Sequence, residues 1–191
     1  ILICRGSKVT KEDLSVACPD LKMVVRAGAG FNNIDIAAAT KLGIAVCNCP
    51  GQNAIAVSEL VFGLIISLDR RIQESHQLMK KGVWDKSTLS RQQRGLYSNT
   101  LGVIGCGNIG QQVIRRAAAF GMDVNVCMTP NSEKFITPLT FSAITGKETY
   151  TDKTIIDEKN TYYPHLYPAI NADIFILIPA TANIIGKIAN G

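Results

Sequence analysis

Gly105, Gly107 and Gly110 stand directly after the apolar run Leu101-Gly-Val-Ile104 and directly before a segment whose apolar residues recur at helical spacing, Val113, Ile114, Ala117 and Ala118, as far as Phe120. Glycines at this spacing between a strand and a helix form a turn that receives the pyrophosphate of a dinucleotide. Each glycine has its own task. Gly105 permits the tight turn, Gly107 lets the backbone approach the pyrophosphate without a Cβ in the way, and Gly110 lets the helix pack closely on the strand. The backbone N–H groups of Asn108 and Ile109 would meet the anion at the helix N-terminus, where the dipole is favourable. A buried turn with no ligand is the competing reading, and the flanking strand and helix weigh against it.

The elements around this turn alternate strand and helix, which argues for parallel sheets. Ile1–Cys4 reads as a strand, and Thr10-Lys-Glu-Asp-Leu14 as a capped helix start. Lys22–Arg26 is a second strand, followed by the glycine-rich turn Ala27-Gly-Ala-Gly30. Ile34–Leu42 is a short helix closed by Gly43, and Ile44–Asn48 a third strand. One long apolar helix is expected from Ala54 to about Lys80, with Val57, Leu60, Val61, Leu64, Ile65 and Leu68 at helical spacing, suited to a core or a dimer contact. After the glycine helix, Val124–Cys127 is the next strand. From Thr129 to Pro164 apolar periodicity is lost, and Ala172–Ile178 restores it as a buried strand before Pro179. The expected fold is α/β with two doubly wound parallel-sheet, Rossmann-like domains, both incomplete in this chain. Residues 1–52 form part of a substrate domain, and residues 53–191 part of a dinucleotide-binding domain with a linking helix at 54–80 and an irregular insertion near 131–164.

The chain has 191 residues, 47% of them hydrophobic, enough for a packed core. Lys and Arg number 20 against 15 Asp and Glu, a net charge of +5 that suits anionic ligands. The basic residues are scattered, with short pairs at Arg70-Arg71, Lys80-Lys81 and Arg115-Arg116, so no nucleic-acid stripe is indicated. Six cysteines without a C-x-x-C pair, and only His76 and His165 beside them, read as reduced cytoplasmic thiols and leave no complete metal set. No apolar stretch approaches the length of a membrane span.

Several ordered motifs together resemble a known family. Val25-Arg-Ala-Gly-Ala-Gly30 with Asn32-Asn33-Ile34-Asp35, then Cys47-Asn-Cys-Pro-Gly-Gln-Asn53, Ser58-Glu-Leu60, Gly82-Val-Trp84 and Gly102–Gly110 are similar to the D-isomer-specific 2-hydroxyacid dehydrogenases, and within them to the phosphoglycerate dehydrogenase branch. The resemblance implies oxidation of a substrate hydroxyl to a ketone with NAD as hydride acceptor, NADP remaining open, and a small phosphorylated hydroxyacid, 3-phospho-D-glycerate, as substrate. It implies that the loop Gly28, Ala29 and Gly30 receives the substrate carboxylate, that Arg5 stands near the substrate phosphate, and that Asn53 lies on the wall of the site. Beside the glycine turn, Met128 and Pro179 fall at the family's cofactor-contacting positions. A homodimer or tetramer of the intact protein is also implied. The family's catalytic Arg, acidic residue and His correspond to positions beyond Gly191, so no catalytic residue is assigned here and the 191 residues alone are expected to be inactive.

The chain departs from the family pattern at three places. Met128 stands where an acidic residue binds the ribose hydroxyls, and Asp123, near the right count from Gly105, begins the strand instead of ending it. The run before Pro179 is wholly apolar where the family commonly has a His or a similar residue. The stretch 131–164 is longer than its family counterpart. These departures keep a second reading open: a non-catalytic dinucleotide-binding or regulatory protein, or a decayed gene copy of the same fold.

Overall fold

The computed structural model describes residues 1–91, 93–134, 136–155, 170–178 and 182–190. Two compact units divide the chain, Ile1–Ile55 and Ala56–Gly191. Each is built on a wholly parallel three-stranded sheet.

In the first unit β1 (Leu2–Cys4), β2 (Met23–Arg26) and β3 (Ala45–Asn48) lie side by side in chain order. Parallel neighbours need a crossover, and α1 (Lys11–Ala17) and α2 (Ile36–Lys41) supply it. Helix α1 starts where the sequence marks it: the Thr10 hydroxyl accepts from the Asp13 N–H at 3.3 Å, and the Asp13 carboxylate accepts from the Thr10 N–H at 2.9 Å. These hydrogen bonds to Thr10 hold the Asp13 carboxyl below its usual range. Cys4 and Val24 from the strands meet Leu14, Ala38, Ala39 and Ile44 in one core. The pleat sends Ile3, Val25 and Cys47, which stand in register, to the opposite face, where Ile3 and Cys47 are exposed.

In the second unit β4 (Thr100–Ile104) is central, with β5 (Asp123–Cys127) on one side and β6 (Ile174–Leu177) on the other. Tyr150 adds a parallel bridge to Cys127 on the outer side of β5. The chain therefore winds outward from β4 through β5 to Tyr150, then crosses back to β6. That reversal beside β4 is the topological switch point at which open parallel sheets bind ligands. Helix α6 (Asn108–Ala119) packs on β4 and β5. Val113, Ile114 and Ala117 of α6 enter a core with Leu101, Val103, Val124 and Val126.

Two expectations are corrected. The helix expected over 54–80 is two helices, α3 (Ala54–Asp69) and α4 (Ile72–Lys80). The break falls at Arg71, whose φ of 50° is left-handed, and whose N–H closes the end of α3 on the Leu68 carbonyl at 3.2 Å. A residue in that conformation cannot continue a right-handed helix. A short α5 (Lys86–Ser90) follows.

The stretch expected to be irregular from 131 onward carries α7 (Pro130–Glu133), α8 (Pro138–Thr145) and α9 (Asp152–Ile155) among its described residues. Phe141 of α8 is wholly buried in the same core as α6. Proline at the first helical position and Gly146 at a φ of 69° after the last turn start and stop α8. Phe135 and residues 156–164 of the stretch lie outside the described residues. Helix α10 (Ala182–Asn190) closes the described chain.

Among the described residues no helix is long and apolar enough to cross a membrane, and no group of three or more His, Cys, Asp or Glu side chains is placed to hold a metal ion.

Candidate functional site

The glycine turn sits at the C-terminal edge of the second sheet, between β4 and α6. Gly105 has a φ of 104°, which side chains rarely adopt, so the turn leaving β4 depends on glycine there. A Cβ on Gly110 would collide with the Gly105 carbonyl, so α6 rests directly on the turn. A Cβ on Gly107 would meet nothing within 4 Å, and Gly107 itself is exposed. It forms the N-cap of α6 with no side chain to satisfy the first-turn N–H groups. Asn108 is exposed and Ile109 is half-buried against the core. The result is an open edge at the first turn of α6, beside the switch point, an arrangement that fits the pyrophosphate of a dinucleotide.

The residue between the first two glycines points the other way. Cys106 is buried in the core, and burial, with a smaller contribution from nearby Cys127, pushes its thiol up to about 12. Burial pushes Cys127 up to about 11. Both are neutral thiols beneath the turn and contribute packing rather than chemistry.

The ribose side of the crevice differs from the pyrophosphate side. Ile104 pairs with Cys127, so β5 ends level with the turn and Met128 follows at once. Met128 is buried in the core and its N–H donates to the Tyr150 carbonyl at 2.8 Å. Asp123 pairs with Thr100 at the opposite edge of the sheet and is ion-paired to Lys147. The three glycines thus fit the pyrophosphate, while Cys127, Met128 and Thr129 at the end of β5 carry no carboxylate. Ile178 before Pro179 is buried, and its N–H donates to the Ile104 carbonyl at 2.8 Å; Pro179 itself, like His165, lies outside the described residues. His76 is exposed on α4.

In the first unit the other expected residues gather at the C-terminal edge of the sheet. Arg5 follows β1 and is exposed, Gly28, Ala29 and Gly30 follow β2, and the exposed Asn53 lies beyond β3. The loop after β2 is tied from both sides. The Ala27 N–H donates to the Cys4 carbonyl at 2.8 Å, the Cys49 N–H to the Gly28 carbonyl at 3.0 Å, and the Asn48 side-chain amide to the Ala29 carbonyl at 2.8 Å. The Gly28 N–H is taken by the Arg26 carbonyl at 2.8 Å. The Ala29 and Gly30 N–H groups have no acceptor among the described residues.

Sequence reasoning missed two residues here. Arg26, at the end of β2, lays its guanidinium against Gly28, with Nη1 3.4 Å from the Ala27 carbonyl and a buried Nε that has no hydrogen-bond partner. Asn48 fixes the loop from β3. Both stand inside the motifs that carry the family resemblance, and the available signal was their place as the last residue of a parallel strand beside a glycine turn.

A D-3-phosphoglycerate dehydrogenase of Methanocaldococcus jannaschii is 45% identical over 125 residues, covering 65% of this chain and 23% of that protein. A hydroxypyruvate reductase of Thermotoga maritima is 41% identical over 124 residues, covering 65% and 40%. Among solved structures, an NAD-dependent formate dehydrogenase of Staphylococcus aureus in complex with NAD is 29% identical with a TM-score of 0.58, covering 69% of this chain and 40% of that one. The chain spans less than half the length of the curated relatives it matches. The model of the D-isomer specific 2-hydroxyacid dehydrogenase catalytic domain matches residues 1–182. With that match running through both the loop after β2 and the glycine turn, the chain belongs to the D-isomer-specific 2-hydroxyacid dehydrogenase family.

Proposed function

We propose that these residues are the acid-binding and nucleotide-binding parts of a dehydrogenase that oxidises 3-phospho-D-glycerate to 3-phosphohydroxypyruvate. The observation that carries this reading is the pair of glycine-rich loops, each at the C-terminal edge of its own parallel sheet. The bound nicotinamide dinucleotide would supply the hydride acceptor. The chain's own residues bind and orient. The Ala29 and Gly30 N–H groups receive the carboxylate, and Arg26, whose guanidinium lies against Gly28, and Arg5 supply positive charge for a carboxylate and a phosphate. Asn48 holds the loop so that its donors need no reorganisation on binding. The Gly107 edge and the first turn of α6 hold the pyrophosphate.

A homo-oligomer is part of this proposal. Phe62 and Ile65 of α3 enter the core, whereas Leu60, Leu64 and Leu68, spaced four apart, are 62%, 53% and 79% exposed. A second apolar stripe on one helix favours contact with another copy. Six free cysteines support a reducing compartment such as the cytoplasm. The 191 residues alone are proposed to bind ligands without turning them over.

Calorimetric titration of the chain with 3-phosphoglycerate, glycerate and lactate tests the substrate. Tightest binding of the phosphorylated acid is expected. Equal affinity for all three, or preference for lactate, removes the phosphoglycerate assignment, and NADH formation by the isolated chain removes the claim of inactivity.

A further inference from the structure

The turn between α4 and α5 builds a cavity of its own. Helix α4 ends in a doubly closed cap: the Gly82 N–H donates to the Met79 carbonyl and the Val83 N–H to the Leu78 carbonyl, each at 2.9 Å, with Gly82 at a φ of 71°. This pairing turns the chain back over the last turn of the helix. Asp85 then starts α5, its carboxylate accepting from the Thr88 N–H at 3.1 Å and from the Ser87 hydroxyl at 3.2 Å. Past α5, the Gln93 side-chain amide donates to the Arg70 carbonyl at 3.3 Å and ties this stretch to the junction of α3 and α4. The walls are thus fixed at three points. The space they line, about 580 Å³, falls within the range of small-molecule sites and is formed before any ligand arrives.

The lining combines two chemistries. Leu78 and Met79 of α4, Val83 and Trp84 of the turn and Leu89 of α5 supply an apolar wall. Leu89 is buried, whereas Met79, Val83 and Trp84 are 59%, 46% and 75% exposed, so a broad apolar area meets solvent around the cavity. The charged groups of the lining are Arg70, Lys86 and Asp85. The Asp85 carboxylate is engaged in the cap of α5, which leaves the two cations to set the sign of the site. None of the lining residues belongs to the glycine turn or to the loop after β2.

We propose that this cavity binds an amphipathic organic anion, a carboxylate carried on an aliphatic chain. The chain lies against Trp84 and the aliphatic wall, where removal of apolar surface from water drives entry. The carboxylate pairs with Arg70 and Lys86, which select an anionic head group over a cationic one.

Trp84 is the chain's only tryptophan, so its emission reports on this cavity alone. The test is a fluorescence titration of the 191-residue chain with octanoate and with octylammonium, which share a chain length and differ in the sign of the head group, at an ionic strength of about 0.15 M. A saturable blue shift with octanoate is expected, with octylammonium bound about tenfold or more weakly. No saturable shift with octanoate, or equal affinity for the two, overturns the proposal. Joint replacement Arg70→Gln and Lys86→Gln removes both cations and leaves the Gln93 bond in place, because that bond is to the Arg70 backbone. It should weaken octanoate about tenfold and leave octylammonium no weaker; unchanged octanoate affinity overturns the assignment of the head group to these side chains. Emission of the ligand-free chain that shifts on dilution would place a second copy over Trp84 and would overturn the proposal as well.

Discussion

Replacing Gly107 and Gly110 by alanine, one at a time, should give opposite patterns of folding and binding loss. At Gly110 the new methyl group meets the Gly105 carbonyl, which is backbone and is itself held by a φ of 104°. It cannot swing aside, so α6 has to move off the turn. Forced overpacking of this kind costs about 1–3 kcal/mol or more, and the better helix propensity of alanine returns about 1 kcal/mol. Because the clash is with backbone, the cost falls at the upper end of that range, which leaves a net loss of about 2 kcal/mol. At Gly107 the methyl group enters open space at an ordinary φ of −73°. Alanine is a poorer N-cap by about 0.5–1 kcal/mol, and the stiffer unfolded chain returns about 0.4–1 kcal/mol. The two effects nearly cancel, so G107A should fold like the parent. Its methyl group nonetheless occupies the space where the pyrophosphate approaches, and NADH affinity should fall about tenfold or more. Urea denaturation followed by circular dichroism gives the first quantity and NADH titration the second. G110A as stable as the parent would show that α6 is not seated on Gly105. A G107A chain that keeps full NADH affinity would show that the dinucleotide does not cross this edge.

Two further outcomes follow from burial. Phe141→Ala empties a wholly buried ring position on α8 and should cost about 3–5 kcal/mol in urea denaturation; a loss under about 1 kcal/mol would show that α8 does not pack on α6. The buried thiols make stability fall in alkali. Their folded values of about 12 for Cys106 and about 11 for Cys127 lie above the unfolded thiol range near about 8.5. Unfolding therefore releases protons between those limits, and the stabilisation present below about pH 8.5 is lost as pH rises, at most about 1.4 kcal/mol per unit for each thiol. Thermal unfolding from neutral pH to pH 10.5 should show this fall, and Cys106→Ser should make it shallower; an identical profile in the variant would place Cys106 in solvent.

The glycine turn was readable because each of its demands leaves a residue type behind: a positive φ at Gly105, a backbone collision at Gly110 and open space at Gly107. The parallel strands were readable for a related reason, since runs such as Leu101–Ile104 are apolar on both faces of a covered sheet. The break in the helix after α3 was not, because it depends on one backbone angle at Arg71, and arginine carries no mark of a left-handed conformation. Helix α8 was also missed. Its eight residues are too few to show a period, and its burial rests on Phe141 alone.

Arg26 shows a different limit. Its position in the chain places it on β2, and nothing in the strand pattern says that its guanidinium turns back over Gly28 with one buried nitrogen unpaired. A buried donor without a partner is costly in the free protein. That Nε is covered from solvent, so an anion at the loop meets Arg26 as a neighbouring charge, and the unpaired nitrogen is a cost the free chain carries. Of the two arginines, the one the sequence reading passed over is the one that lies against the loop itself.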